Sequence, residues 1–222
     1  MNYKITGTTL PILEVSLQKG ESIYAQSGSL LVIGNDIEFI TELAGGVLHG
    51  LRRLAAGEHF YISKYTSKID NGKILLSDPT IGAIIPLHIK EDAPMLCDRG
   101  AFLCCEISVN FDVAFMRRVR DLLFSGEGVV LQKLSGNGLA LIHCWGEVTE
   151  YELEPEEAIR ISSGNVVAFS TSVKLQTRLM KGGKNILFGG EGMFITELVG
   201  PGKVIVQSTN KKEMVRMVSD II

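Results

Sequence analysis

Two short signals recur three times along this chain, always in the same order, and they limit the fold more than any other feature. The first is a glycine that opens an apolar run: Gly28 before Ser29-Leu30-Leu31, Gly100 before Ala101-Phe102-Leu103, and Gly164 before Asn165-Val166-Val167. The second is a Gly-Glu pair with a leucine three residues before the glycine: Leu54 with Gly57-Glu58, Leu123 with Gly126-Glu127, and Leu187 with Gly190-Glu191. Subtraction tests the phase. Gly28 to Gly100 is 72 residues and Gly100 to Gly164 is 64; Gly57 to Gly126 is 69 and Gly126 to Gly190 is again 64. Copies two and three therefore share one offset at both landmarks. A chain with such a period is expected to be a tandem of one supersecondary unit.

Applying the offsets brings apolar positions into line. Leu17, Ile89 and Leu153 coincide, as do Ile23, Met95 and Ile159; so do Leu30, Phe102 and Val166, and Leu31, Leu103 and Val167. Copies one and three match without a gap from Leu17 to Gly34 and from Leu153 to Ser170, sharing Glu21 with Glu157 and Ser27 with Ser163. The domain reading that follows is one globular unit over 1–210, made of copies at about 1–78, 79–147 and 148–210, with a separate tail at 211–222.

Each copy reads as β structure. After each Gly-Glu comes a run rich in β-branched and aromatic residues, then a turn, then a second run. His59–Thr66 leads to Asp70-Asn71-Gly72. Val129–Leu134 leads to Ser135-Gly136-Asn137-Gly138 and then Leu139–Trp145. Met193–Leu198 leads to Gly200-Pro201-Gly202 and then Lys203–Ser208. Glycine and asparagine suit turns that need positive φ without a Cβ clash. Many runs are apolar at successive positions, which predicts strands covered on both faces.

Helix signals are few. Phe115, Val119, Leu122 and Leu123 fall at helical spacing within 111–124, opposite Arg117, Arg118, Arg120 and Asp121, and predict a helix there. Leu51–Ala56 and Thr177–Phe188 occupy the matching stretches of the other copies. In the tail from Lys211 to Ile222, Met214, Met217, Val218 and Ile221 fall on one face of a short terminal helix.

With 222 residues, 45% of them apolar, the chain has enough apolar material for a substantial core. No window approaches the roughly 18 apolar residues of a membrane-spanning helix. Strand-like sequence begins almost at the first residue, which reads as no signal or transit peptide and predicts a cytoplasmic location. Cys97, Cys104, Cys105 and Cys144 have no framework spacing and read as reduced core residues. A net charge of −3 argues against a nucleic-acid surface.

The Gly28 box, the segment Gly45 to Leu54 running into Gly57-Glu58, Leu123-Phe124-Ser125-Gly126-Glu127-Gly128, Val167-Ala168-Phe169 and Gly200-Pro201-Gly202 together resemble the altered-inheritance-of-mitochondria family. That family includes a mitochondrial biogenesis factor with bacterial and archaeal relatives, and the resemblance covers essentially the whole chain. It implies tandem β-sandwich pseudobarrels; with the offsets and strand runs above, the expected fold is all-β, three tandem β-sandwich or pseudobarrel repeats in an approximate threefold arrangement with short connecting helices. Relatives are similar in fold to the tryptophan RNA-binding attenuation protein. The resemblance brings no catalytic residues with it. The fungal member is linked to inner-membrane organisation; the absence of a presequence here points instead to a prokaryotic cytoplasmic member.

The candidate chemistry is sparse. His49, His59, His88 and His143 are far apart, with no His-x-His pair to set two imidazoles on one strand face, so no metal site is expected. Cys104 and Cys105 are adjacent in a strand and point to opposite faces, where core packing is their expected role. Glu58, Glu127 and Glu191 sit at equivalent positions and raise a convergent carboxylate triad, but a glutamate at a strand start also accepts hydrogen bonds from turn amides. Gly182-Gly183-Lys184 lacks the spacing and the strand-to-helix context of a phosphate loop, and no nucleophile elbow or dinucleotide fingerprint occurs.

The most unusual stretch is Leu43–Ala56, glycine-rich and apolar with Arg52-Arg53 near its end. It reads either as an apolar loop with a basic edge, suited to a membrane surface or a partner, or as a segment buried against a neighbouring subunit or its own barrel. Glycine costs a helix about 1 kcal/mol relative to alanine, which disfavours a surface helix here. Val47, Leu48, Leu51, Arg52 and Arg53 are the candidate interaction residues. The functional expectation is a non-enzymatic, self-associating scaffold or interaction protein without cofactor or metal. Its expected partners are its own copies, an unidentified protein, or a membrane surface touched peripherally. The alternative is a small-ligand binding protein or enzyme with a site between repeats.

Overall fold

A computed structural model describes residues 1–43, 61–113, 131–179 and 194–219. The fold is all-β: among the described residues there are strands β1 to β19, two 3-10 turns and a single α-helix. Pairing is antiparallel in several sheets, and none closes into a barrel among the described residues. The chain divides into two compact units. One comprises Met1–Asp92, Ala101–Asp112 and Leu134–Cys144; the other comprises Ala93–Gly100, Val113–Lys133 and Trp145–Ile222. Residues 79–147 thus contribute to both.

The first unit holds two sheets. In one, β1 (Asn2–Thr6), β2 (Ile12–Leu17), β7 (Gly72–Ser77) and β4 (Leu30–Ile33) lie in the order β1-β2-β7-β4. In the other, the order β5-β6-β3-β10-β13-β8 joins β5 (Ile37–Leu43), β6 (Tyr61–Ser67), β3 (Ser22–Gln26), β10 (Phe102–Glu106), β13 (Gly138–Trp145) and β8 (Gly82–Ile89). The reason β2 is a strand shows in its alternation: Leu13, Val15 and Leu17 are fully buried while Ile12, Glu14 and Ser16 are not. These three pack with Ile23, Ala25, Ile74, Leu76, Leu103 and Leu141 in one core cluster. Burying each large aliphatic side chain there contributes roughly 1.5–3 kcal/mol. In β10 and β13 alternation disappears, because Phe102 to Cys105 and Leu139 to Cys144 are buried at every position. Both faces are covered, as the continuous apolar runs predict.

In the second unit, β9 (Met95–Asp98), β16 (Val166–Ser170), β19 (Gly202–Gln207) and β14 (Val148–Leu153) follow one another in a sheet. A three-stranded sheet runs β15 (Ala158–Ser162), β18 (Phe194–Val199), β17 (Lys174–Leu179). Leu96, Leu131, Leu153, Val166, Phe169, Val173, Leu198 and Val204 form its core. The remaining strands are β11 (Val109–Val113) and β12 (Leu131–Gly136).

The recurring glycine boxes end in the same irregularity. β4 pairs with β7 with a register shift between Leu30 and Val32; β10 pairs with β13 with a shift between Phe102 and Cys104; β16 pairs with β19 with a shift between Val166 and Ala168. Leu30, Phe102 and Val166 are the residues that the sequence offsets superpose. An extra residue in one strand bends it and increases its twist. The shared glutamates also act alike: Glu21 accepts the Gln18 N–H at 2.8 Å and Glu157 the Glu154 N–H at 2.8 Å, each closing a tight turn.

One helix prediction is corrected. Phe111, Asp112 and Val113 form the end of β11, not the start of a helix. Val109 and Phe111 are buried and Asn110 is exposed, a two-residue period that outweighs the helical spacing further on. Residues 114–124 lie outside the described residues, as do Leu51–Ala56; of Thr177–Phe188, positions 177–179 end β17 and the rest are not described. The tail helix forms as expected, as α1 (Lys211–Ser219). Asn210 caps it, its Oδ1 accepting the Glu213 N–H at 3.0 Å.

The turn glycines are needed to different degrees. Gly136 has φ +93°, and a Cβ there would run into the Ser108 carbonyl oxygen; Gly20, at φ +81°, has nothing within 4 Å of that position. Gly20→Ala should cost only backbone strain, roughly 1–2 kcal/mol. Gly136→Ala must displace backbone as well. Urea unfolding of both variants should show the Gly136 change as clearly the more destabilising.

Candidate functional site

Glu58, Glu127 and Glu191 lie outside the described residues, and so do Val47, Leu48, Leu51, Arg52 and Arg53 of the candidate interaction loop, Gly182-Gly183-Lys184, and Arg117, Arg118 and Arg120. The chain enters the loop segment from β5 and leaves it into β6, whose ends pair Leu43 with Tyr61. Phe39 and Ile40 on β5 and Tyr61 on β6 are exposed apolar residues, with Glu38 and Thr41 exposed on β5 as well. Phe39 lies against Tyr65, ring centroids 5.9 Å apart. A further apolar exposure, Leu31 and Val32, is on β4 at the end of its sheet. On α1, Val215, Met217 and Val218 are exposed.

Of the histidines, His49 and His59 are not described, His88 is exposed, and His143 is buried on β13. His143 Nε2 lies 3.3 Å from Asp78 Oδ2. The other aspartate oxygen, Oδ1, accepts the Thr80 N–H at 2.9 Å and the Thr80 hydroxyl. This is an Asx turn between β7 and β8, with Pro79 at its corner. An aspartate beside an imidazole is half of an acid–base arrangement. Here the Thr80 hydroxyl is bonded to the same carboxylate, so that Asp78 ties the turn to a strand. The Asp-Pro-Thr turn was readable in sequence; nothing in the sequence pointed to its partner 65 residues away (78 to 143).

A second charged cluster has the same character. The Met1 ammonium lies 2.7 Å from both Glu21 Oε1 and Glu106 Oε1, and Glu106 Oε2 accepts the Leu139 N–H at 2.8 Å. Burial opposes the charged amine, but the two carboxylates outweigh it and its pKa stands above the ordinary value. For Glu21 burial works the other way, and the ammonium and the Gln18 N–H hold its carboxyl below the usual range.

Cys97, Cys104, Cys105 and Cys144 are all buried thiols outside any disulfide. Burial pushes the Cys97 and Cys104 thiols far up, away from the thiolate that a nucleophile or metal ligand requires. Among the described residues there is no group of three or more His, Cys, Asp or Glu side chains able to hold a metal ion, and no helix long and apolar enough to cross a membrane.

Comparison with known proteins gives a consistent picture. The family model described as mitochondrial biogenesis AIM24 matches residues 3–209. An uncharacterized protein of Streptococcus pyogenes serotype M6 is 29% identical over 211 residues, covering 91% of this chain and 83% of its own. The X-ray crystal structure of a Streptococcus pyogenes protein has the same fold, with a TM-score of 0.78 at 23% identity over 100% of this chain and 99% of that one.

Removing the Asp78 carboxylate should expose how much the turn depends on it. Asp78→Ala is expected to lower unfolding free energy by about 1–3 kcal/mol, the cost of stranding buried hydrogen-bonding groups. His88→Ala, on an exposed position, should stay within about 0.5 kcal/mol of the parent. Circular dichroism in urea distinguishes them.

Proposed function

The chain belongs to the mitochondrial biogenesis AIM24 family, and on that footing we propose that it acts by assembly, as a non-enzymatic scaffold built from three equivalent β units and associating with its own copies. The observation that carries this reading is the placement of apolar side chains on exposed strands. Leu31, Val32, Phe39, Ile40 and Tyr61 stand in solvent on β4, β5 and β6. Strand surfaces of this kind are covered in stable assemblies, and an open apolar sheet edge invites another strand. The polar clusters support the same reading, because Asp78, Glu21 and Glu106 already hold turns and strands together. The three-unit reading is supported by the matching bulges at Leu30, Phe102 and Val166. The location proposed is the cytoplasm, with protein partners or a membrane surface met through the Leu43–Ala56 segment.

Light scattering coupled to size exclusion should give more than one chain per particle at micromolar concentration; a strict monomer overturns the proposal. The loop has its own test. Serine at Val47, Leu48 and Leu51 together should leave the circular dichroism spectrum intact while weakening self-association, partner capture or vesicle flotation. Unfolding would make the loop part of the core, and no change in any of the three would place the functional surface elsewhere.

A further inference from the structure

The strand pairings link successive copies by one rule, and the rule is left incomplete at its two ends. β3 pairs antiparallel with β10 through Ala25 and Cys104, Tyr24 and Cys105, and Ile23 and Glu106. β9 pairs antiparallel with β16 through Cys97 and Ala168, Leu96 and Phe169, and Met95 and Ser170. The second set follows from the first by the sequence offsets alone: 25 + 72 is 97 and 104 + 64 is 168, and the other two pairs follow likewise. Carried one step further, 97 + 64 gives Ile161 on β15, and 104 − 72 gives Val32 on β4. The pairs that complete the rule are Val32 with Ile161, Ile33 with Arg160, and Gly34 with Ile159. Neither strand has such a partner among the described residues: β4 ends the sheet β1-β2-β7-β4, and β15 ends the sheet β15-β18-β17.

Burial shows what this pairing does where it is made. Leu103 and Cys104 are 0% exposed, and Val167 and Ala168 are 2% and 0%. The equivalent Leu31 and Val32 are 53% and 51% exposed. Ile159 and Ile161 pack on the second unit's core but remain only partly buried, whereas Ala25 and Cys97 at the position of Ile161 are fully buried. The two edges thus display the apolar side chains and the unpaired backbone groups that the equivalent strands hide.

We infer that β4 of one chain pairs antiparallel with β15 of a second copy, in the register Val32–Ile161, so that the link made twice within the chain is made a third time between chains. The inference rests on the self-association reading above and names its surface and its partner. Each chain offers one edge of each kind: two copies can satisfy both edges reciprocally in an isologous dimer, and a larger number closes as a ring through heterologous contacts.

Directly opposed residues of an antiparallel pair lie within the Cα separation that a disulfide spans, about 4.4–6.8 Å. A Val32→Cys chain mixed with an Ile161→Cys chain should, on mild oxidation, give a covalent heterodimer on a non-reducing gel, in large excess over what either variant gives alone. The native cysteines are buried and add little background. The chain carrying both substitutions should give dimers or a ladder of higher species. An intramolecular disulfide in that chain, seen as a faster-migrating monomer, would overturn the inference, since the edges would then meet within one molecule. Particles of more than one chain without the specific cross-link would also overturn it while leaving self-association standing. A monomeric parent protein would remove both. An independent readout avoids cysteine: Leu31→Lys with Val32→Lys, at exposed positions, should reduce the scattered mass to one chain with an unchanged circular dichroism spectrum, and a retained oligomer would count against the surface.

Discussion

Strand β10 is the constraint on which the first unit depends. It is bonded along both edges, to β3 and to β13, and covered on both faces. Cys104 faces Ala25 on one side and Leu141 on the other; Cys105 faces Tyr24 and Ala140. A strand confined in this way cannot leave an amide unpaired without losing solvation and gaining nothing in return. It also has little room for bulk. That accounts for the small residues where strands meet: Ala25, Cys104, Cys105 and Ala140 are all fully buried. Cysteine serves here as a small apolar residue, and its raised pKa at Cys104 follows from the packing.

The bulges follow from the same confinement. A regular strand shows one face to each layer. The shift between Phe102 and Cys104 lets consecutive apolar residues be used on both layers, with Phe102, Leu103, Cys104 and Cys105 all out of water. Its counterpart between Val166 and Ala168 does the same for Val167, Ala168 and Phe169. At β4 the shift is present but one edge is open, and Leu31 and Val32 are left in solvent. Sequence identity at the glycine box does not decide exposure; the presence of a neighbouring strand does.

This explains what could be read in advance. The hairpin turns were legible because they need particular backbone angles: Asn71 has φ 59° and Gly202 φ 136°. The strands of β10 and β13 were legible from unbroken apolar runs. The end of β11 is hidden in the sequence because the helical spacing of Phe115, Val119, Leu122 and Leu123 extends back over Phe111-Asp112-Val113, whose own alternation is only a few residues long. The His143–Asp78 contact was out of reach, since it joins a turn to a strand distant in sequence and obeys no local period. The exposure of Leu31 and Val32 was equally hidden: their sequence equivalents Leu103 and Cys104 are core residues, and only the strand order separates the cases.

An exposed apolar edge is a hazard unless something restricts what can pair with it. β4 is short, Leu30–Ile33, and a short edge offers few ladder positions to an unrelated strand. β15 carries Arg160 in its middle, held by Glu197 of β18 at 2.9 Å and still largely in solvent. A strand with a lysine or arginine opposite that guanidinium would be repelled, whereas in the proposed pairing Ile33 would present no charge there. The apolar groups favour association; the short length and the central charge narrow the choice of partner. The bulge adds a shape requirement, because a flat strand cannot follow a bent one along its full length. Together these are the features that the proposed pairing needs to be selective and not aggregating, and they are present in the two strands that end their sheets.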